Sequence, residues 1–308
     1  MRIAVLGAGA MGGLFGAYLS RENEVMLIDI NPELTGLINE QGFKVREPDG
    51  TVGEYFPTAA VSGEAAVGRF SPADLVVVFV KSMYSAETLN KNKALIGPDT
   101  YLMTLQNGSG HEEILRQFVD DSHVIIGTTQ HNASILGLGM TNHGGAGMTY
   151  IGCIDGDGEY LKPLAANFSS CGLTTEVSKS VRQMIWNKMF TNVSASVLTG
   201  VLQVPLGYIS QNQHAWRICS SLIREAVDVA AGMNLEFDYE QVVSEVKTVC
   251  DNSPEGLTSI YSDIKNGRKS EVDTISGSVV KASERCHIPA PGHRLMVQLV
   301  HAIEEKNK

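Results

Sequence analysis

The five cysteines, at 153, 171, 219, 250 and 286, include no C-x-x-C pair. Wide spacing and an odd count argue against a disulfide framework or a structural zinc site and fit idle thiols in a reducing cytoplasm. Lysine and arginine never gather into a block, and the formal net charge is −10. The electrostatic footprint expected of a nucleic-acid partner is therefore missing. No apolar run approaches the roughly 20 residues that span a bilayer. Glycines and a helical pattern stand where a secretory leader has its apolar segment and cleavage site, so none is expected. What is left is a globular composition, 43% apolar and 19% charged, on 308 residues, enough for one large domain or two ordinary ones, each with its own core. A cytoplasmic chain with no metal, nucleic-acid or membrane partner is expected.

Glycine, in contrast, is abundant, and it crowds positions 7, 9, 12, 13 and 16 straight after the apolar run Arg2–Leu6. Glycine destabilises a helix interior, so the cluster needs a reason. Arg2–Leu6 reads as a strand and Met11–Arg21 as a helix, which puts Gly7, Gly9 and Gly12 in a strand-to-helix turn. There Gly7 permits the tight turn, Gly9 lets the backbone approach a pyrophosphate, and Gly12 allows close helix–strand packing. The helix N-terminus adds free N–H groups and a positive dipole. A second strand, Glu24–Ile28, ends at Asp29, about 20 residues after the loop, where a carboxylate can accept hydrogen bonds from ribose hydroxyls. These features together predict a bound dinucleotide. Asp29 repels a 2′-phosphate and has no arginine beside it in IDINPE, which leans towards NADH; Lys81 can still reach a phosphate, so NADPH stays open.

Short apolar runs alternate with helical stretches through the first half. Leu75–Val80 (LVVVFV) is the β-branched run of a strand buried on both faces, and Tyr101–Leu105 and His123–Ile126 are further strands. This order predicts an α/β fold with a parallel, Rossmann-type sheet. Residues 127–152 read as irregular strands and turns closing that domain. From about Val181 helical spacing takes over, in Met184–Thr199, Trp216–Ala231, Tyr239–Cys250, Glu271–Ser283 and, after Pro289 and Pro291, Arg294–Glu305. The expected organisation is a dinucleotide-binding domain over 1–180 and an all-helical substrate and dimerisation domain over 181–308.

In the helical half, Lys188 and Asn192 stand four apart and share a helix face. Spacing alone describes an ordinary surface helix, yet hydride transfer to a carbonyl needs a proton donor such as a lysine ammonium. Glu271 can orient that lysine or be plain surface charge. Asn107 follows the fourth strand run, outside the carboxyl ends of the strands where open α/β sheets bind ligands. His131, His143, His287, His293, Trp186 and Trp216 are read as turn or packing residues.

Seven motifs occur in order: GAGAMG at 7–12, VKS at 80–82, QNGSGHEE at 106–113, GTTQHNA at 127–133, WNKMFTN at 186–192, SIYSDIKNGRKSEVD at 259–273 and HIPAPGH at 287–293. Taken together, the chain resembles the ketopantoate reductase (2-dehydropantoate 2-reductase) family along nearly its whole length. The resemblance implies reduction of a 2-oxo acid, ketopantoate, to the D-2-hydroxy acid with NAD(P)H, in pantothenate biosynthesis, by a possible homodimer. It implies Lys188 as general acid, with Glu271 supporting both it and the cofactor. Asn107, Asn192, Ser196 and Ser259 are the substrate-binding set, Ser259 near the carboxylate. The cofactor set is Gly7, Ala8, Gly9, Ala10, Met11, Gly12, Asp29, Lys81, Asn107, Ala133 and Glu271. Three departures stand out: Ser196 and Leu206 occupy positions where asparagine is usual, and Asp29 replaces a basic or neutral residue. They also resemble a branch of NAD-dependent D-2-hydroxyacid dehydrogenases acting on branched or aromatic 2-oxo acids. A dinucleotide-sensing protein without turnover is the third alternative, and the Lys188, Asn192 and Glu271 set counts against it.

Overall fold

The computed structural model describes residues 1–68 and 70–306. They form two compact units, Met1–Gln106 with His111–Val181, and Asn107–Gly110 with the chain from Arg182 onward.

The first unit runs β1 (Arg2–Leu6), α1 (Ala10–Leu19), β2 (Glu24–Ile28), α2 (Pro32–Gln41), β3 (Phe43–Arg46), β4 (Val52–Tyr55), β5 (Thr58–Ala60), α3 (Gly63–Ala66), β6 (Leu75–Val78), α4 (Ser85–Lys91), β7 (Tyr101–Thr104), α5 (Glu112–Leu115), β8 (Val124–Thr129), β9 (Asn132–Gly137), β10 (Met140–Gly145), β11 (Thr149–Cys153), α6 (Lys162–Ser170) and β12 (Thr175–Val177). Eight strands make one sheet in the order β12-β11-β8-β7-β6-β1-β2-β5. It is parallel from β5 to β8, and β11 pairs antiparallel with β8. The β-branched run LVVV of β6 is wholly buried, as expected of a strand covered on both faces. The chain leaves β1 for β2 on one side and resumes at β6 on the other, so β1 and β6 flank the switch point, the ligand-binding crevice of such sheets.

The stretch 127–152 holds irregular strands and turns, as expected, but only part of it extends the large sheet: β8 runs on to Thr129, while β9 and β10 join β3 and β4 in a second sheet of order β4-β3-β10-β9. Glycines within these strands and the bulges between β9 and β10 break the period-2 alternation that marks a strand.

The second unit contains α7 (Val181–Thr191), α8 (Val197–Leu202), α9 (Leu206–Gln211), α10 (Gln213–Gly232), α11 (Tyr239–Asn252), α12 (Ser259–Lys265), α13 (Ser276–Cys286) and α14 (Pro291–Lys306). α10 is central: the Asn212 side chain caps it by accepting from the His214 and Ala215 N–H groups, and Cys219, Leu222, Ile223, Ala226, Val229 and Ala230 line its buried face. Trp186 is buried in the same core and Trp216 packs against it. Two helices differ from their expected outlines. Met184–Thr199 is interrupted by a π-helical turn at Asn192–Ser196. The segment from Glu271 is helical only from Ser276, because the Thr274 and Ile275 N–H groups close a turn on the Glu271 carbonyl first. Among the described residues no helix is long and apolar enough to cross a membrane.

Candidate active site

In the first unit β1 delivers the chain into Gly7, whose φ of +95° suits glycine. A Cβ there stands 3.0 Å from the Val80 backbone nitrogen, and one on Gly12 stands 1.8 Å from the Gly7 carbonyl oxygen. Gly7 is therefore required where the loop passes the chain after β6, and Gly12 where α1 packs on the loop. Gly9 is different: a Cβ on it meets nothing within 4 Å. It is the N-cap of α1, ahead of Ala10, Met11 and Gly12 in the first turn, where helix N–H groups have no intrahelical partners. Two glycines serve the protein's own packing, and the third keeps a surface bare.

Asp29, just past β2, accepts from the Ala8 N–H at 3.0 Å and from the Asn31 N–H at 3.0 Å. Its carboxylate is thereby fixed beside the loop. A cavity of about 250 Å³ adjoins it, lined by Ala8, Gly9, Asp29 and Asn31 on one side and by α2 and the β9–β10 hairpin on the other. Among the described residues that line it, Asp29 alone is charged. A bare helix N-terminus, an open Gly9 and a held carboxylate fit a dinucleotide. Lys81 opens the 3₁₀ turn Ser82–Tyr84 after β6, and half-buried Ala133 lies on β9 opposite His143.

In the second unit Lys188 Nζ donates to Asn107 Oδ1 at 3.0 Å. The Asn107 loop docks onto the turn that carries Glu271: the Ser109 N–H donates to the Thr274 carbonyl, and Gly108, at φ +98°, has no room for a Cβ against that carbonyl. Asn107, Lys188 and Glu271 are thus gathered by one loop-on-turn contact. Burial pushes the Lys188 ammonium down to about 8, while the Glu271 carboxylate pulls the other way. Such an amine is poised to give or take a proton near neutral pH.

Half-buried Asn192 opens the π-helical turn and buried Ser196 closes it, with the Ser196 hydroxyl 3.5 Å from Asn192 Oδ1. A π-turn inside a helix often marks a functional site. Thr258 hydrogen-bonds Thr199 at 2.7 Å and caps α12, whose first residue is the exposed Ser259. Leu206 lies at the start of α9, where its N–H donates to the Gly256 carbonyl and its side chain joins the helical core.

Three features escaped the sequence. Thr258 is one, its capping role visible only once α12 is known. The cavity walls from α2 and β9–β10 are another; a glycine between apolar residues at 139 was their only local signal. The third is a buried chain in the first unit. His131 Nδ1 lies 3.0 Å from His143 Nε2, and His143 Nδ1 lies 2.9 Å from Glu47, which also accepts from the Tyr18 hydroxyl.

Comparison with known proteins places these features in a lineage. The family described as "Ketopantoate reductase PanE/ApbA" matches residues 3–156, and its C-terminal counterpart, "Ketopantoate reductase PanE/ApbA C terminal", matches residues 180–304. A 2-dehydropantoate 2-reductase of Lactococcus lactis subsp. lactis is 31% identical over 310 aligned positions, covering 99% of this chain and 98% of the relative. One from Halobacterium salinarum is 30% identical, covering 97% and 98%. Among solved structures, D-mandelate dehydrogenase in a ternary complex with NADH and anilino(oxo)acetate superposes with a TM-score of 0.92 at 30% identity, covering 100% of this chain and 99% of that one.

Proposed function

Because the chain belongs to the ketopantoate reductase family, we propose that it reduces the carbonyl of a 2-oxo acid, 2-dehydropantoate, to the D-2-hydroxy acid with a nicotinamide dinucleotide, a step of pantothenate biosynthesis. The observation that carries this reading is the half-buried Lys188 ammonium, tethered to Asn107 and facing the charge of Glu271. The loop Gly7–Gly12 and Asp29 would hold the dinucleotide, which would supply the hydride for the carbonyl carbon. Lys188 donates its proton to the oxygen that becomes negative, and the Asn107 tether keeps the ammonium from turning away. Glu271 holds the lysine in its charged form. Asn192 binds the substrate, oriented by Ser196, and Ser259 takes its carboxylate. In the other unit the loop Gly7–Gly12 takes the pyrophosphate, Asp29 the ribose hydroxyls, and Lys81 and Ala133 the remaining cofactor contacts. NADH is the preferred partner: a 2′-phosphate beside Asp29 meets a carboxylate, and the described residues lining the cavity include no cation. The family reading also carries a homodimer and a cytoplasmic location.

The D-mandelate dehydrogenase likeness supports a second reading, an NAD-dependent D-2-hydroxyacid dehydrogenase for branched or aromatic 2-oxo acids. Ser196 and Leu206, in place of two asparagines, favour a less polar substrate tail. Steady-state reduction of ketopantoate, 2-ketoisovalerate and phenylglyoxylate, each with NADH and NADPH, separates the two. The highest kcat/KM on ketopantoate upholds the first reading, and on a keto acid without the hydroxyl it upholds the second. Dinucleotide binding with no turnover on any of them overturns both in favour of a sensing role.

A further inference from the structure

The C-terminal half of α14 bonds the turn that carries Glu271 at two points. Glu304 Oε1 accepts from the Ser270 N–H at 2.8 Å and from the Ser270 hydroxyl at 2.7 Å, and Ser270 is fully buried. His301, three positions earlier and on the same helix face, sets its Nε2 2.9 Å from Asp273 Oδ1 and its Nδ1 3.4 Å from Glu304 Oε2. The chain Ser270–Glu304–His301–Asp273 thus grips the turn immediately before Glu271 and two positions after it.

Glu304 is a costly choice for its place. It lies in the last turn of α14, where the helix carbonyls disfavour a negative charge. Its side chain is only 9% exposed, so the carboxylate has given up most of its water. An apolar side chain would fill the same space without that cost, but it could not accept from the Ser270 N–H and hydroxyl. The carboxylate therefore points to a need for those bonds.

The gripped turn is the one on which the site depends. The Thr274 and Ile275 N–H groups close on the Glu271 carbonyl, Val272 is wholly buried, and the Thr274 carbonyl accepts from the Ser109 N–H of the Asn107 loop. The same short turn is bonded to α14 and to the loop that tethers Lys188.

We infer that Glu304 and His301 are positioning residues for the reduction: bonded to Ser270 and Asp273 on either flank of Glu271, they fix the turn that presents its carboxylate to Lys188. This rests on the roles given above to Lys188 and Glu271 and adds to them two residues of α14.

The test is NMR titration of the full chain carrying isotopically labelled lysine, with the Lys188 signal identified by its loss in Lys188→Gln. In the wild type that signal should titrate at about 8. Glu304→Ala frees the turn, so the Glu271 charge supports the ammonium less, and the titration should move down by about half a pH unit or more. Glu304→Gln still accepts from Ser270 and should keep the wild-type value, which separates positioning from direct action of the Glu304 charge. In a Glu271→Gln background, Glu304→Ala should add no further shift. The alkaline limb of the reduction profile should follow the titration in each variant. Where Glu304→Ala does not fold, Ser270→Ala, which removes one of the two donors, should shift the titration the same way. An unmoved titration in the folded variant overturns the positioning role and leaves the proposed function intact. So does a shift in Glu304→Gln as large as in Glu304→Ala, or an undiminished shift in the Glu271→Gln background. A wild-type Lys188 that titrates near the ordinary lysine value of about 10.4 overturns both the lysine's role in that function and the positioning built on it.

Discussion

Lys188 Nζ and Asn107 Oδ1 lie 3.0 Å apart, although 81 positions separate them in the chain. The bond settles two orientations together. It restrains the long lysine side chain, and by occupying the Asn107 carbonyl oxygen it leaves the amide N–H groups of Asn107 to face other acceptors. Replacing Lys188 by alanine should lower kcat by about 10²- to 10⁴-fold, the usual range for a general acid, with little change in dinucleotide affinity. Turnover near the wild-type rate would remove Lys188 from the chemistry.

The pH profile should carry the signature of this lysine. Reduction needs the ammonium, and burial brings its titration to about 8. The rate of reduction should fall as pH rises through about 8, whereas oxidation of the hydroxy acid, which needs the neutral amine, should rise through the same point. A reduction rate flat to pH 10 contradicts the assignment.

Glu271 raises the proton affinity of Lys188. Its replacement by glutamine removes that support against the burial effect, so the alkaline limb of the reduction profile should move to lower pH. An unmoved limb together with a large loss of cofactor affinity would assign Glu271 to the cofactor instead.

Gly9 and Gly12 should fail in different ways. Gly12→Ala forces a Cβ against the Gly7 carbonyl and should destabilise the protein by roughly 1–3 kcal/mol, read as a lower denaturation midpoint. Gly9→Ala meets no protein atom and should keep wild-type stability, but should weaken NADH binding about tenfold or more. Equal loss of stability in both variants would mean that Gly9 also serves packing.

Acid should destabilise the fold through two buried histidines. Burial pushes His131 and His293 down to about 4, with His143 adding to the effect at His131 and the Leu222 carbonyl opposing it at His293. The unfolded chain takes up these protons near pH 6.5 and the folded one only near 4, so stability falls as pH drops across that window. The urea midpoint should be lower at pH 5 than at pH 7, and His131→Phe should flatten that dependence. Identical midpoints at the two pH values would show that neither histidine is held neutral.

Much of this protein is written in short windows. The run LVVV, the strand–glycine–helix opening and the Asp29 interval each depend on residues within one or two elements, where side-chain period and backbone freedom act locally. The spacing of Lys188 and Asn192 is local in the same sense. The failures are local too: glycines and bulges hid the hairpin at 132–145, and a turn closing on the Glu271 carbonyl delayed a helix that composition alone began at 271.

What no window contains is which loop meets which turn. Asn107 reaches Lys188 because Gly108 lets the backbone press on Thr274, 166 positions away, and the hairpin borders Asp29 because Leu37, Lys44 and Ala10 hold its tip. The same holds for the acidity of Lys188, since a desolvated ammonium depends on what the whole unit packs around it. Residue types and their local spacing name the chemistry; packing between distant segments sets its geometry and its protonation.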